Sequence, residues 1–271
     1  MQGTGGTVAT ALLERLARLG YVSKAVIYAI VGVLAILTAV NRGGRVTDTS
    51  GALRVVLTQP FGRMLLAVLA VGLCGYALWR LLDALLDPDR HGTGAKGLVA
   101  RVGTAVRGCI YGGLGIEAFR LLRGLGGSSG DEAELWTARL LEFPLGAVAV
   151  GIAGALVAAY GASEVLDSIR GKGDASLDLS PIPRDLRSAV RRISRFGVGV
   201  RGGLIATLGF FLVRAAFTKN PQEAAGSRES LVWLGGVIDG RWLLAVLAAG
   251  VLAYAVDQAV HARCRRIRPV L

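Results

Sequence analysis

Three basic residues stand at one repeated position in apolar stretches of the sequence. Lys24, Arg107 and Arg201 each follow the pattern Arg-x-Gly-x-x-x, and a glycine comes eight residues after each of them. In the middle of a membrane-spanning helix, a Lys or Arg costs roughly 2.5–3.5 kcal/mol on insertion scales. Three roles are open for so costly a residue: pairing with carboxylates, binding an anionic head group or solute, and conducting protons or ions. Pairing is the simplest of the three.

Each basic residue shares a helix face with small residues, and two of them share it with a tyrosine. Tyr28 and Tyr111 lie one helical turn after the first two basic residues, and Ile205 stands at this position in the third copy. The rest of the face is glycine and alanine, which allow two helix backbones to approach closely. We expect these helices to pack through this face.

Carboxylates and further tyrosines come at the same depth in the apolar stretches that follow. We therefore expect a polar ring near the inner membrane surface, in which the three basic residues meet carboxylates of neighbouring helices. The candidate members from these stretches are Tyr76, Tyr160 and Tyr254 together with Asp83, Glu164, Asp167 and Asp257.

Glu117 is a separate candidate, ten residues after Arg107 in the outer half of the same stretch. An acidic residue within a membrane span is a functional candidate by default, and Arg120 at i+3 can pair with it. The other two copies have Leu34 and Phe211 at the equivalent position. Glu117 is therefore outside the repeated pattern.

Six apolar stretches carry these residues. The chain has a mean hydropathy of +0.54, and 53% of its 271 residues are hydrophobic while 18% are charged, which separates it from soluble proteins. Each stretch has about the length that crosses a ~30 Å hydrocarbon core at 1.5 Å per residue. We predict an all-α integral membrane protein with six transmembrane helices, at Val22–Val40, Met64–Leu82, Val102–Leu122, Leu145–Leu166, Val198–Phe217 and Leu243–Val260.

The six spans form three tandem helical hairpins. Residue patterns recur with a shift of 84 positions and then of 94 in the second spans, where Tyr76, Tyr160 and Tyr254 coincide. Each hairpin has two spans, so the repeats share one orientation and are related by an axis along the membrane normal. The predicted units are residues 8–95, 96–190 and 191–271, the second with a basic loop and the third with a basic tail.

Shorter elements flank the spans. We expect residues 1–7 to be disordered, and the sequence from Val8 predicts an amphipathic helix in the inner interface before the first span. Asp48 begins a short outer helix that ends before Pro60. The corresponding outer segments of the other two hairpins are Asp131–Phe143 and Glu229–Asp239.

The net charge of +12 is unevenly placed. Of the 31 Lys and Arg residues, 20 lie toward the side that holds both termini and 11 toward the other side. Such an excess marks the cytoplasmic side, so we expect both termini to be cytoplasmic. The basic clusters suit anionic lipid head groups. They lack the aromatic residues or the module of a nucleic-acid binder.

The repeat resembles the bacterial membrane family known as "domain of unknown function 1206". The resemblance rests on three hairpins that open with Arg-x-Gly-x-x-x-(Lys/Arg) and close with a Gly-rich span carrying a tyrosine. It covers the chain from about Ala17 to His261, and Ile205 is the clearest departure from the pattern. It implies a six-span bundle in a bacterial cytoplasmic membrane, and it implies no activity and no catalytic residues.

Enzyme motifs are absent from the sequence. His91 and His261 belong to no metal-binding pattern, and there is no Gly-x-Ser-x-Gly elbow. Gly197-x-Gly199-x-x-Gly202 matches a dinucleotide-binding pattern, but no strand precedes it and its glycines are repeat-related packing positions. We therefore expect no catalytic residues, no metal and no cofactor.

The sequence favours a non-enzymatic structural or interaction protein in the lipid bilayer that recognises anionic lipid head groups. The alternative is a small transporter or channel for an anionic solute or ions that uses the basic residues and Glu117; an integral-membrane enzyme is a third class. A water-accessible cavity reaching the basic residues would favour transport, whereas an axis filled by tyrosines would favour a scaffold. The sequence names no protein partner, substrate or oligomeric state.

Overall fold

The computed structural model describes residues 4–40, 47–86, 94–125, 137–143, 145–171, 179–220 and 240–265. Within these ranges the chain is all-α. Its long helices are α1 (Thr4–Ala39), α3 (Gly62–Leu86), α4 (Ala95–Leu122), α5 (Gly146–Arg170), α6 (Arg184–Thr218) and α7 (Gly240–Cys264), and α2 (Thr49–Leu57) is short.

Five of the long helices contain segments long and apolar enough to cross a membrane, within the ranges given above. The helix that does not meet this description is α4, because Arg107 and Glu117 lower the apolar character of its central part. The multi-pass, all-helical architecture is thus present, and the sixth span stays a prediction. The five segments are Leu13–Ala39, Gly62–Leu86, Gly146–Arg170, Arg184–Thr218 and Trp242–Cys264.

Helix α1 differs from the sequence prediction at its beginning. It starts at Thr4 and runs without a break to Ala39, so residues 4–7 are helical rather than disordered, and the stretch from Val8 is not a separate helix. An existing helix extends through neighbouring residues at little cost, because the unfavourable step is nucleation.

The predicted outer helix of the first hairpin is present as α2. The side chain of Asp48 caps its start by accepting a 2.7 Å hydrogen bond from the amide of Gly51. The helix buries Leu53 and Val56 against α1, α3 and α4. In the second hairpin, residues 137–141 are helical, and the equivalent segment Glu229–Asp239 of the third lies outside the described residues.

The six long helices pack side by side in the order α4, α3, α1, α7, α6, α5. The second helix of each hairpin packs on the first helix of the next, in the pairs α3 with α4, α5 with α6, and α7 with α1. Since the last pair joins the third hairpin to the first, the order is that of a pseudo-threefold ring. Within the hairpins, α1 packs on α3 and α6 on α7, but α4 and α5 do not pack in this way.

As predicted, α1, α4 and α6 pack through their small-residue faces, and the structure shows that these contacts lie between hairpins. A Cβ added to Gly32, Gly115 or Gly209 would overlap the helix of another hairpin, namely at the equivalent residues Leu252, Cys74 and Ala158. Glycine at these positions therefore lets the backbones approach, and the three interfaces repeat one geometry.

Candidate functional site

A cavity of about 310 Å³ lies at the inner end of the bundle, defined as the end at which α3, α5 and α7 finish. Gly171, after the end of α5, and Arg265, after the end of α7, lie at its rim. Lys24, Tyr111 and Tyr254 lie at its deep end. The cavity therefore extends from the inner end of the bundle to the predicted polar ring.

Lys24 lies in a cage of tyrosine rings. Its Nζ is 4.4 Å from the ring centroid of Tyr111, 4.5 Å from that of Tyr76 and 5.4 Å from that of Tyr21. It also donates a 3.4 Å hydrogen bond to the Tyr76 hydroxyl, and the residue is only 3% exposed. The negative ring faces attract the ammonium group.

This cage corrects the expectation that Lys24 meets a carboxylate of a neighbouring helix. In the described part of the chain, no Asp or Glu lies within ion-pair distance of Lys24. Asp83, the candidate carboxylate of the same hairpin, pairs at 3.0 Å with Arg80 on its own helix. Lys24 is held by aromatic rings and a hydroxyl group instead.

Glu164 is the common partner of the other two basic residues. Arg201 forms an ion pair with it, and the Nη2 of Arg107 lies 3.6 Å from its carboxylate. The hydroxyl of Tyr160, one turn earlier, also donates to this carboxylate. The predicted pairing of basic residues with Glu164 is thus present, and one carboxylate serves two hairpins.

Asp257 and Asp167 also line the cavity, but Asp257 does not pair with the basic ring as expected. It accepts a 2.8 Å hydrogen bond from Gln258, and its carboxylate lies 3.4 Å from the Nδ1 of His261. Both partners belong to its own helix. Side chains one and four residues away reach Asp257, whereas Arg107 and Arg201 pair with Glu164.

Arg80 is a central residue of the site that was not among the predicted ring members, although the sequence places it at the same depth. It is buried, and it donates to the hydroxyls of Tyr76, at 3.0 Å, and Tyr21, at 3.3 Å. The sequence feature that could have identified Arg80 as a site residue is its position on the helix face that carries Tyr76 and Asp83. At the equivalent positions the other hairpins have Glu164 and Gln258, so repetition did not point to it.

Tyr21, Trp79 and Arg265 also belong to the site and were not predicted. Arg265 donates to the Tyr21 hydroxyl, and its guanidinium lies 4.9 Å from the Trp79 ring centroid. These contacts join the end of α7 to α1 and α3. No repeated pattern marks these three residues, because the other hairpins carry different residue types there.

Tyr28, Tyr111 and Tyr254 form a layer that closes the deep end of the cavity. The hydroxyls of Tyr28 and Tyr111 are 3.1 Å apart, and the rings of Tyr28 and Tyr254 pack edge to face at 4.7 Å. The molecule thus combines the two arrangements considered for the sequence. A cavity reaches the basic ring, and contacting tyrosines lie at its deep end.

Glu117 lies away from the cavity. Ser50 of α2 donates a 2.6 Å hydrogen bond to it, and Arg54 of α2 lies 3.9 Å away. Ten residues of helix separate it from Arg107, a rise of about 15 Å. These contacts attach the outer helix α2 to α4, and Glu117 is not a neighbour of the polar ring.

The cavity carries an excess of positive charge and several unpartnered polar atoms. Among the described residues, its lining has six Lys or Arg side chains and three Asp or Glu side chains. Within the same part of the chain, the Nε atoms of Arg107 and Arg201, the Oγ of Ser194 and the Oε1 of Gln258 are buried without a hydrogen-bond partner. Three of these four atoms can donate, so the lining suits a small anion.

No group of three or more His, Cys, Asp or Glu residues that could hold a metal ion occurs in the described ranges. The described part of the lining therefore offers cations, hydroxyl groups and three carboxylates, one of which, Glu164, is shared between two arginines.

Fold and site together define a multi-pass, all-α membrane protein built from three repeats around a basic cavity. The chain belongs to the family described as Domain of Unknown Function (DUF1206), whose repeat matches residues 19–87, 102–171 and 196–265. The three matches confirm the tandem repeat predicted from the sequence.

A curated relative matches almost the whole chain. The "Uncharacterized protein YxxB" of Bacillus subtilis (strain 168) is 29% identical over 244 residues, which are 90% of this chain and 88% of the relative. No solved structure shows a significant match to the chain.

Proposed function

We propose that this chain is a six-span protein of a bacterial cytoplasmic membrane that binds a small anionic group in its inner cavity without converting it. The carrying observation is that the cavity holds twice as many Lys and Arg as Asp and Glu side chains in the described ranges. The group is a phosphate or carboxylate, supplied either by a lipid or by a free solute.

The unpartnered arginine atoms support binding over a purely structural role. A basic ring that only held helices in register would satisfy its donors with protein acceptors. Leaving a buried donor without a partner costs about 1–3 kcal/mol, and an anion in the cavity would accept from the Nε atoms of Arg107 and Arg201. Ser194 offers a further donor on the same cavity lining.

The side of access follows from charge and shape. The excess of Lys and Arg toward the side that holds both termini favours a cytoplasmic position for the inner end. Since the cavity extends to that end, the anion would enter from the cytoplasm or from the inner leaflet. An anionic inner leaflet is attracted to the same basic surface.

Transport is the second candidate, because the cavity reaches the basic ring. Passage across the membrane would require the layer of Tyr28, Tyr111 and Tyr254 to open. Uptake of labelled phosphate into proteoliposomes that contain the protein tests this candidate. Uptake above that of protein-free vesicles would favour transport, and binding without uptake would favour a binding protein.

Anion binding is tested by thermal unfolding of the protein in a non-ionic detergent, with inorganic phosphate titrated at constant ionic strength. We expect Tm to rise with phosphate, and we expect Lys24→Met to weaken the apparent affinity at least tenfold. Methionine keeps a flexible apolar chain against the tyrosine rings and leaves no carboxylate unpaired.

The matched control is Lys219→Met, the same change at an exposed residue at the end of α6. It should leave the phosphate dependence as in the wild type. A Tm that does not respond to phosphate in the wild type, or an equal response in the Lys24→Met variant, would contradict the proposal.

A further inference from the structure

The three hairpins differ at one seam, the contact between the first and second helix of each hairpin. In the first hairpin, a Cβ added to Gly20 would overlap Tyr76, and in the third, a Cβ added to Gly197 would overlap Tyr254. At the equivalent Gly103 of the second hairpin, an added Cβ would meet no atom within 4 Å among the described residues. The α4–α5 seam is therefore open where its two counterparts are closed.

One residue explains the opening. Gly72 and Gly250 occupy equivalent positions on α3 and α7, and each lies against the first helix of its hairpin, at Ser23 and Val200. The second hairpin has Leu156 at this position, and its side chain is 64% exposed. A leucine does not fit a contact that has no room for a Cβ, so α4 and α5 stay apart.

The open seam is apolar and leads to the cavity. On α4, Val102, Val106 and Ile110 are exposed, although Ile27, the counterpart of Ile110 in the first hairpin, is 1% exposed. On α5, Leu156 faces the same gap. Lipid is the medium around such a surface in a membrane-spanning bundle.

Arg107 and Glu164 stand where the seam meets the cavity. The pair spans the gap from α4 to α5 at 3.6 Å, and the Arg107 guanidinium lies 5.0 Å from the Tyr160 ring centroid. The Arg107 side chain is 34% exposed, whereas that of Arg201 is 13% exposed. An incoming anion can take Arg107 from Glu164, because Glu164 keeps Arg201 as its partner.

We infer that the occupant of the cavity is the phosphate head group of an anionic phospholipid, which enters sideways through the α4–α5 seam and leaves an acyl chain between the two helices. This inference rests on the proposed function and adds the class of ligand. A positive cavity that continues into an apolar gap complements the two halves of such a molecule, whereas a free solute would use only the cavity.

The test measures binding of phosphatidylglycerol and of zwitterionic phosphatidylcholine to the purified protein by native mass spectrometry. We expect the wild type to bind phosphatidylglycerol at least tenfold more tightly. We expect Leu156→Trp, which fills the seam, to lower that binding at least tenfold while the Tm rise with inorganic phosphate persists. Val106→Phe fills the seam from α4 and serves as a second variant if the first does not fold.

The control is Val148→Trp, two turns earlier on α5, where the equivalent Met64 and Trp242 of the two closed hairpins are exposed and so lie outside the helix contacts. It should leave lipid binding unchanged. Equal binding of the two lipids, or phosphatidylglycerol binding that survives both seam variants, would overturn the inference. The inference would also fail if the wild type were a dimer and Leu156→Trp dissociated it without reducing lipid binding. In that case a second copy of the chain, not a lipid, would occupy the seam. If the Tm of the wild type does not rise with inorganic phosphate, the proposed function itself is contradicted.

Discussion

The basic ring holds its members in two different ways. Lys24 has no carboxylate partner in the described part of the chain and is surrounded by tyrosines, whereas Arg201 is bound to Glu164. Removing the charge has different consequences in the two cases. Without Lys24 the tyrosine rings remain neutral and packed, but without Arg201 the buried carboxylate of Glu164 loses its best partner.

The Arg201→Met variant should therefore be destabilised by about 3–5 kcal/mol, because breaking a buried ion pair leaves an uncompensated charge. Lys24→Met should cost much less. The free energies of unfolding can be compared by denaturant titration in detergent micelles. The double variant Arg201→Met with Glu164→Gln should recover a large part of the loss, and a double variant as unstable as the single one would show that the pairing is not the cause.

At the scale of helices, the glycines decide which elements touch. Gly161 of α5 has the backbone of Ala206 and Gly202 within overlap distance of an added Cβ, so α5 and α6 pack at close range. The seam of the second hairpin shows the converse. There Leu156 replaces the glycine found in the other two hairpins, and α4 and α5 separate.

The change of glycine to alanine should thus have opposite effects at two positions. Gly161→Ala should lower the Tm, because overpacking a tight interface costs typically 1–3 kcal/mol. Gly113→Ala should leave the Tm equal or raise it, because an added Cβ meets no described atom within 4 Å and alanine favours the helix. Thermal unfolding in micelles measures both, and equal effects of the two substitutions would contradict the packing explanation.

The whole molecule is a threefold repeat whose site is not threefold. At the position one turn after the tyrosine, the hairpins carry Arg80, Glu164 and Gln258. Positive charge is thereby concentrated around Lys24 and Arg80, and the shared carboxylate lies beside the open seam. The repeat places the three positions at one depth in the bundle. Because the residues at these positions differ, the charge distribution around the cavity is asymmetric.

The six-span arrangement predicts that α4 crosses the membrane. In a background with Cys74, Cys109 and Cys264 replaced by Ala, single cysteines introduced as Gly94→Cys and Leu125→Cys should react with an impermeant maleimide from opposite sides. Gly94, before the start of α4, should be cytoplasmic. Labelling of both positions from the same side of spheroplasts and inverted vesicles would show that α4 does not cross.

Periodicity and repetition determined much of this protein from the sequence alone. The helices, the three hairpins and the packing of α1, α4 and α6 through small residues were predictable, because each depends on residues that recur at fixed spacing. Such patterns specify which face of a helix is buried and at what depth a charge lies. Glu164 was one of several candidate carboxylates, and the structure shows that it is the partner of Arg107 and Arg201.

Where the repeats diverge in sequence, only the tertiary structure shows which residues are in contact. The contact of Lys24 with the Tyr111 ring and the link from Arg265 to Tyr21 join residues from different hairpins. Arg80 takes its central place through Tyr76 and Tyr21 of its own hairpin, and the other two hairpins have no arginine at its position. The open seam had a visible cause in the sequence, Leu156 in place of glycine. Its effect became apparent only with the partner helix in place, since a missing contact is a property of two surfaces and not of one residue.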